Sequence, residues 1–190
     1  MRYSLTSLLF GILLLCSAPV FAQGPQPGGT GLIYGTNHAF TLTAPKGWVL
    51  DNEAGAPEGI YAVFYREGES WKDGTAVMYV NTSGKADRSM EEWIDEDIRD
   101  FNTDYPDLVV KEGNDIVFGK VRALVRYYSS KSYGQNEAVA YINAGKIGVI
   151  IVLTSHNKPG FDKALGDFEK LVRSYQFVTD KVEMKNGPQK

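Results

Sequence analysis

Acid–base work near neutral pH falls first to histidine, and this sequence has two, His38 and His156. A hydrolase triad needs one of them to orient a nucleophile. His38 stands at the start of a predicted strand, and His156 lies in a polar stretch ahead of a predicted helix. No Gly-x-Ser-x-Gly elbow is present. Both read as solvated surface histidines, and no catalytic residue is assigned. The acids Glu91, Glu92, Asp95, Glu96, Asp97 and Asp100 form a dense run in which Glu92, Glu96 and Asp100 are four apart and share one helix side. Three carboxylates on one side could hold a hard cation through oxygen. They lie opposite the apolar Trp93, Ile94, Ile98 and Phe101, with no glycine-punctuated calcium loop, so the run reads as a solvated face and no metal is assigned. The 20 glycines show no phosphate-cradling order between a strand and a helix. No cofactor is assigned. Asn81-Thr82-Ser83 fits a glycosylation acceptor, which matters only in a eukaryotic host; it reads as a strand end.

Aromatic residues are the remaining source of specificity. Tyr61, Tyr65, Tyr79, Tyr127, Tyr128 and Tyr141 fall on predicted strands, where a ring with a polar tip packs at the core edge. Trp71 and Tyr133 sit instead in polar, glycine-bearing hairpin loops over residues 66–74 and 130–135. Burial is not forced there, and an exposed aromatic side chain on a loop suits contact with a partner. These two are the candidate partner-contact residues.

The elements that position them follow from hydrophobic period. The run 137–142 and the run 147–153 flank Asn143-Ala144-Gly145-Lys146, a short polar connection that predicts an antiparallel hairpin. The second run is apolar at every position except Gly148, which predicts a central strand covered on both faces. Phe161, Ala164, Leu165, Phe168, Leu171, Val172 and Tyr175 then recur at helical spacing after Pro159. Leu165→Asp in that stripe is expected to unfold the domain. Ser89-Met90-Glu91-Glu92 has capping-box spacing and opens an earlier helix that ends before Pro106. Strands are expected over residues 39–44, 48–50, 60–65, 75–82, 108–111, 115–118 and 121–129. This order predicts an α+β domain with a central, mostly antiparallel sheet and amphipathic helices packed on it.

Residues 1–22 read as a signal peptide: a basic Arg2, an apolar core from Leu8 to Leu15, and Val20 and Ala22 before a cleavage site. The apolar run is too short to span a bilayer. Cleavage after Ala22 would remove Cys16, the single cysteine, and with it every disulfide, thiolate site and cysteine nucleophile. It would leave 19 basic against 23 acidic residues, a formal charge of -4 that argues against nucleic acid. Glycine and proline over residues 23–32 read as a flexible tether, residues 33–179 as one globular domain, and residues 180–190 as a loose tail. The expected location is the periplasm or the medium, with no membrane span in the mature chain.

Four pieces occur in order: Phe40-Thr41-Leu42-Thr43-Ala44-Pro45-Lys46-Gly47-Trp48; Ser89-Met90-Glu91-Glu92-Trp93; Phe118-Gly119-Lys120-Val121-Arg122-Ala123 with Tyr127-Tyr128; and Phe161 to Phe168 followed by Val172-Arg173-Ser174-Tyr175-Gln176-Phe177. In this the chain resembles the PsbP-like and DcrB-like exported proteins. The resemblance implies an α/β/α sandwich and a group in which scaffold, assembly and partner-binding roles predominate, with no shared catalytic set to carry over. The expectation is therefore a non-catalytic binding or assembly module that presents loops to a protein partner in the bacterial envelope. A small-ligand carrier with a pocket between sheet and helix is the alternative. An enzyme would require His38 or His156 to meet an acid in space.

Overall fold

The computed structural model describes residues 26–85 and 88–182; the expected signal peptide and most of the expected tail lie outside them. In chain order the elements are β1 (Gln26–Pro27), β2 (Thr30–Gly35), β3 (His38–Thr43), β4 (Trp48–Asp51), β5 (Ala62–Arg66), β6 (Val77–Gly84), α1 (Met90–Asp104), β7 (Val109–Glu112), β8 (Ile116–Phe118), β9 (Val121–Ser129), β10 (Asn136–Ala144), β11 (Ile147–Ser155), α2 (Lys158–Arg173) and β12 (Gln176–Thr179). Nine strands form one sheet in the order β1-β4-β5-β6-β11-β10-β9-β7, with β8 pairing β9 beyond β7; β12-β3-β2 form a second sheet. Pairing in both is antiparallel, as expected.

The apolar run of β11 places it in the middle of the large sheet, between β6 and β10. One face, with Val149, Ile151 and Leu153, packs beneath Phe161, Ala164, Phe168, Leu171 and Val172 of α2. On the other, Val152 and Ile150 join Trp93 and Ile94 of α1. Helix, sheet and helix thus form the expected sandwich. The cap of α1 is built from the residues expected: Ser89 Oγ accepts from the Glu92 amide at 3.1 Å, and Glu92 Oε2 accepts from the Ser89 amide at 2.8 Å. Asn157 caps α2 by accepting from the Gly160 amide at 2.7 Å.

Two expectations need correction. Residues 23–32 are not all tether: Gln26 and Pro27 pair with Leu50 and Val49, and Thr30 to Gly35 run along β3. Gly31 serves close packing, since a Cβ there would fall 2.7 Å from Leu50 Cδ1. The apolar stripe of α2 is also unequal in depth. Ala164, Leu171 and Val172 are fully buried, whereas Leu165 is half-buried at the rim of the core, so Leu171 is the position where a charge would unfold the domain.

Candidate functional site

Ionisable groups converge on the α1 side of the sheet. Tyr141 Oη donates to Asp97 Oδ2 at 2.5 Å. Tyr128 Oη lies 2.6 Å from Tyr141 Oη and, since the Tyr141 proton is directed at Asp97, Tyr128 is the donor. One strand end away, Tyr133 Oη donates to Glu137 Oε1 at 2.7 Å, and Glu137 is only 5% exposed. Burial raises the carboxyls of both Asp97 and Glu137 above their ordinary range, against the opposing pull of the tyrosine hydrogen bonds. Burial, and then neighbouring negative charge, pushes the hydroxyls of Tyr79, Tyr128, Tyr133 and Tyr141 upward as well. These tyrosines are neutral, and those that bond the carboxylates direct their protons inward. The cluster ties α1 and the 130–135 loop to the sheet.

The histidines stand apart from it. His156 is exposed, as expected. His38 is not a surface residue: it is 4% exposed, stacks on Phe40 at 6.0 Å and meets the edge of Tyr61 at 5.7 Å. Its Nδ1 lies 3.3 Å from the Thr36 carbonyl oxygen, and its Nε2 is buried without a hydrogen-bond partner among the described residues. Among the described residues neither histidine forms an ion pair with a carboxylate. The acids of α1 are divided by their partners: Glu92 closes the cap, Glu96 pairs with Arg88 and Asp97 takes Tyr141. Among the described residues no three metal-binding side chains gather.

Trp71 and Tyr133, the expected contact residues, both fold back on their own domain. The Trp71 ring meets Tyr79 edge-on at 5.9 Å, and its Nε1 donates to Glu58 Oε1 at 3.3 Å. Tyr133 packs between Phe101 at 5.2 Å and Tyr105 at 4.7 Å while bonding Glu137. Asp107 holds the base of that loop, accepting from Ser130 Oγ at 2.6 Å and from the amides of Lys131 and Ser132 at 2.8 and 3.2 Å. The seryl hydrogen bonds first, and then these amides, hold its carboxyl well below the usual range. The physical reason for the difference is that both hairpins sit over aromatic surface large enough to take a second ring.

Open apolar surface lies on the opposite side of the sheet. α2 packs on β11, β10 and β8, and a groove lies between its N-terminal half and Lys111 of β7. Two adjoining hollows of about 270 and 330 Å³ share Tyr127 and Leu165. The floor is Tyr127 and Phe161, whose rings meet edge-on at 6.4 Å, together with Leu165. Lys111 stands on one rim and the Lys158–Asp162 ion pair on the other, the Lys158 ammonium lying 5.5 Å over Phe161. At the far end Arg173 Nη1 donates to the Val117 carbonyl at 2.8 Å and closes the β8 edge. Among the described residues nothing pairs with the outer edge of β7. The Gly113 amide donates to the Val125 carbonyl at 3.0 Å, and the register continues that phase through Lys111 with Tyr127 and Val109 with Ser129. Val110 and Glu112 therefore turn their N–H and C=O groups outward. Sequence reasoning did not find this edge, because Val109-Val110-Lys111-Glu112 shows no alternation that distinguishes an edge strand from an inner one.

Neither family models nor curated protein sequences match the chain. Among solved structures it is similar to cyanobacterial PsbP (CyanoP) from Synechocystis, with TM-score 0.52 and 13% identity over 86% of this chain and 99% of that one. It is also similar to the Ran-binding protein Mog1p of Saccharomyces cerevisiae, with TM-score 0.51 and 15% identity over 81% of this chain and 97% of that one. The chain therefore has a PsbP-like fold. Neither structure bears on the DcrB-like half of the resemblance.

Proposed function

We propose that this protein is an exported, non-catalytic binding module of the bacterial envelope whose partner is another protein, engaged along the groove between α2 and β7. The observation that carries this reading is the groove itself: an apolar floor of Tyr127, Leu165 and the buried Phe161 beside an edge strand whose outward backbone groups have no partner among the described residues. The loops expected to make the contact are weaker candidates, since Trp71 and Tyr133 are engaged internally. The fold is one on which a Ran-binding protein is also built, which supports a binding role without identifying the partner. Export rests on the signal-like residues 1–22.

Capture from an envelope extract of the host tests the reading. A discrete partner held by the mature chain should be lost with Leu165→Trp, which fills the groove, and kept with Trp71→Ala and Tyr133→Ala. Loss with the loop variants alone, or no partner at all, counts against it. Fusing residues 1–22 to a reporter that is active only outside the cytoplasm tests export. A carrier of small amphipathic molecules is the second reading, favoured by the roughly 270 Å³ hollow under Lys111. Native mass spectrometry of protein from its own host separates the two: a stoichiometric small mass supports the carrier, a bare chain opposes it.

A further inference from the structure

We infer that the β7 edge takes up an extended acidic and apolar segment of the partner as an additional strand. This segment is hydrogen-bonded to Val110 and Glu112, with one apolar side chain in the groove beside Leu165 and one carboxylate against Lys111. The inference rests on the binding-module reading and specifies its site.

The edge has the geometry for it. Val110 and Glu112 direct both backbone groups away from β9, and unpaired groups of this kind are the template on which a further strand forms. The other end of the large sheet is a poorer template. There β1 is two residues long and one of them is Pro27, which has no N–H to offer. An added strand would lie about 4.8 Å beyond β7. Its alternate side chains would stand on the α2 side, level with Lys111 and Gly113, because these two share the face of Tyr127 and Val125. The hollow there is lined by Val125, Tyr127 and Leu165, so an apolar neighbour gains cover that the free chain does not supply.

Charge selects the occupant. Lys111 is exposed and, among the described residues, forms no ion pair. On the opposite face Glu112 already faces Arg126 at 3.5 Å. A carboxylate on the groove side therefore meets an uncompensated ammonium. A second copy of this chain fits less well. Two β7 strands in antiparallel register at Lys111 would set lysine against lysine, an arrangement that disfavours self-pairing.

Panning a phage-displayed library of random decapeptides on the immobilised mature chain tests the inference, with Lys111→Glu, Val110→Pro and Leu165→Trp as comparisons. Circular dichroism and melting confirm that each variant folds; should Val110→Pro fail to fold, Leu165→Trp carries the test, since it extends into open space. Wild type should enrich peptides with an acidic residue two positions from an apolar one. Lys111→Glu should weaken those peptides by about tenfold and enrich basic ones instead, while Val110→Pro and Leu165→Trp should abolish binding. No enrichment, or peptides indifferent to all three changes, overturns the inference. Decanoate serves as a probe for a free amphipathic anion: binding sensitive to Leu165→Trp and indifferent to Val110→Pro, with no peptide enriched, overturns strand addition in favour of the carrier. A partner captured from the envelope and retained by all three variants removes the edge but leaves the module reading standing. Absence of any partner or peptide removes both.

Discussion

Gly148 and Trp93 make the tightest junction between α1 and the sheet, and their coupling can be measured. A Cβ built on Gly148 would lie 2.0 Å from Trp93 Cη2, 2.3 Å from Cζ3 and 2.5 Å from Cζ2. Ordinary carbon contacts are about 3.5 to 4.0 Å, so Gly148→Ala requires the indole to retreat by roughly 1.5 Å. β11 cannot yield, because β6 and β10 hold it on both sides. The displacement falls on α1, and with it goes the edge contact of Trp93 on Tyr141 at 5.5 Å. Overpacking of this kind costs about 1 to 3 kcal/mol, and loss of the aromatic pair about 0.5 to 1.5 kcal/mol. Replacing glycine offsets about 0.5 to 1 kcal/mol by restricting the unfolded chain. The net expectation is a loss of about 2 kcal/mol, or roughly 4 to 8 °C in Tm for a domain of this size. Urea unfolding followed by far-ultraviolet circular dichroism, on Gly148→Ala, Trp93→Leu and the double variant, isolates the pair. In the Trp93→Leu background Gly148→Ala should cost less than about 0.5 kcal/mol, giving a coupling of about 1.5 kcal/mol or more. Equal costs of Gly148→Ala in the two backgrounds would refute the close-approach argument.

Glu137→Gln should flatten part of the pH dependence of stability. With a folded pKa raised above 4.5, the native state binds this proton more tightly than the unfolded chain. Wild type therefore loses stability as pH rises from the ordinary carboxylate range through the folded value, and the variant should lose less, keeping only the share from Asp97, which burial also raises; melts between pH 4 and 8 check this. His38→Phe keeps the stacking on Phe40 and removes the unpaired Nε2, so stability should hold or rise by about 1 kcal/mol, whereas His38→Ala should lower it in the same urea titration. Asp167→Ala deprives Trp48 Nε1, Arg66 Nη2 and Lys170 Nζ of their shared acceptor at 3.0, 3.2 and 2.9 Å. It should cost about 1 to 2 kcal/mol, and little of that loss should be recovered by 0.5 M salt if the buried indole bond dominates.

Local chemistry carried most of the fold. The capping box at Ser89 and Glu92, the turn at Gly145 and the apolar run of β11 each depend on neighbours within a few residues, and each appears where the pattern places it. The α+β class and the two-sided covering of the sheet follow from those periods alone. What escaped depends on segments that meet from afar. Gly31 looks like tether until Leu50 is brought against it. His38 looks solvated until Phe40 and Tyr61 enclose it. Trp71 and Tyr133 sit in polar loops, yet Tyr79, Phe101 and Tyr105 give their rings a surface to cover. The groove is legible only in part. Phe161 and Leu165 belong to a visible helical stripe, but that Lys111 of β7 lines the same hollow is a matter of strand order, which no local pattern states.

Amide exchange at the β7 edge addresses the central claim most directly. In the free protein the outward N–H groups of Val110 and Glu112 should exchange much faster than those of Val109 and Lys111, which pair with β9. On saturation with the tightest acidic and apolar decapeptide recovered from panning, Val110 and Glu112 should slow by at least tenfold while residues 66–74 and 130–135 stay unchanged. Protection confined to those two loops, with the edge still exchanging freely, would contradict the account.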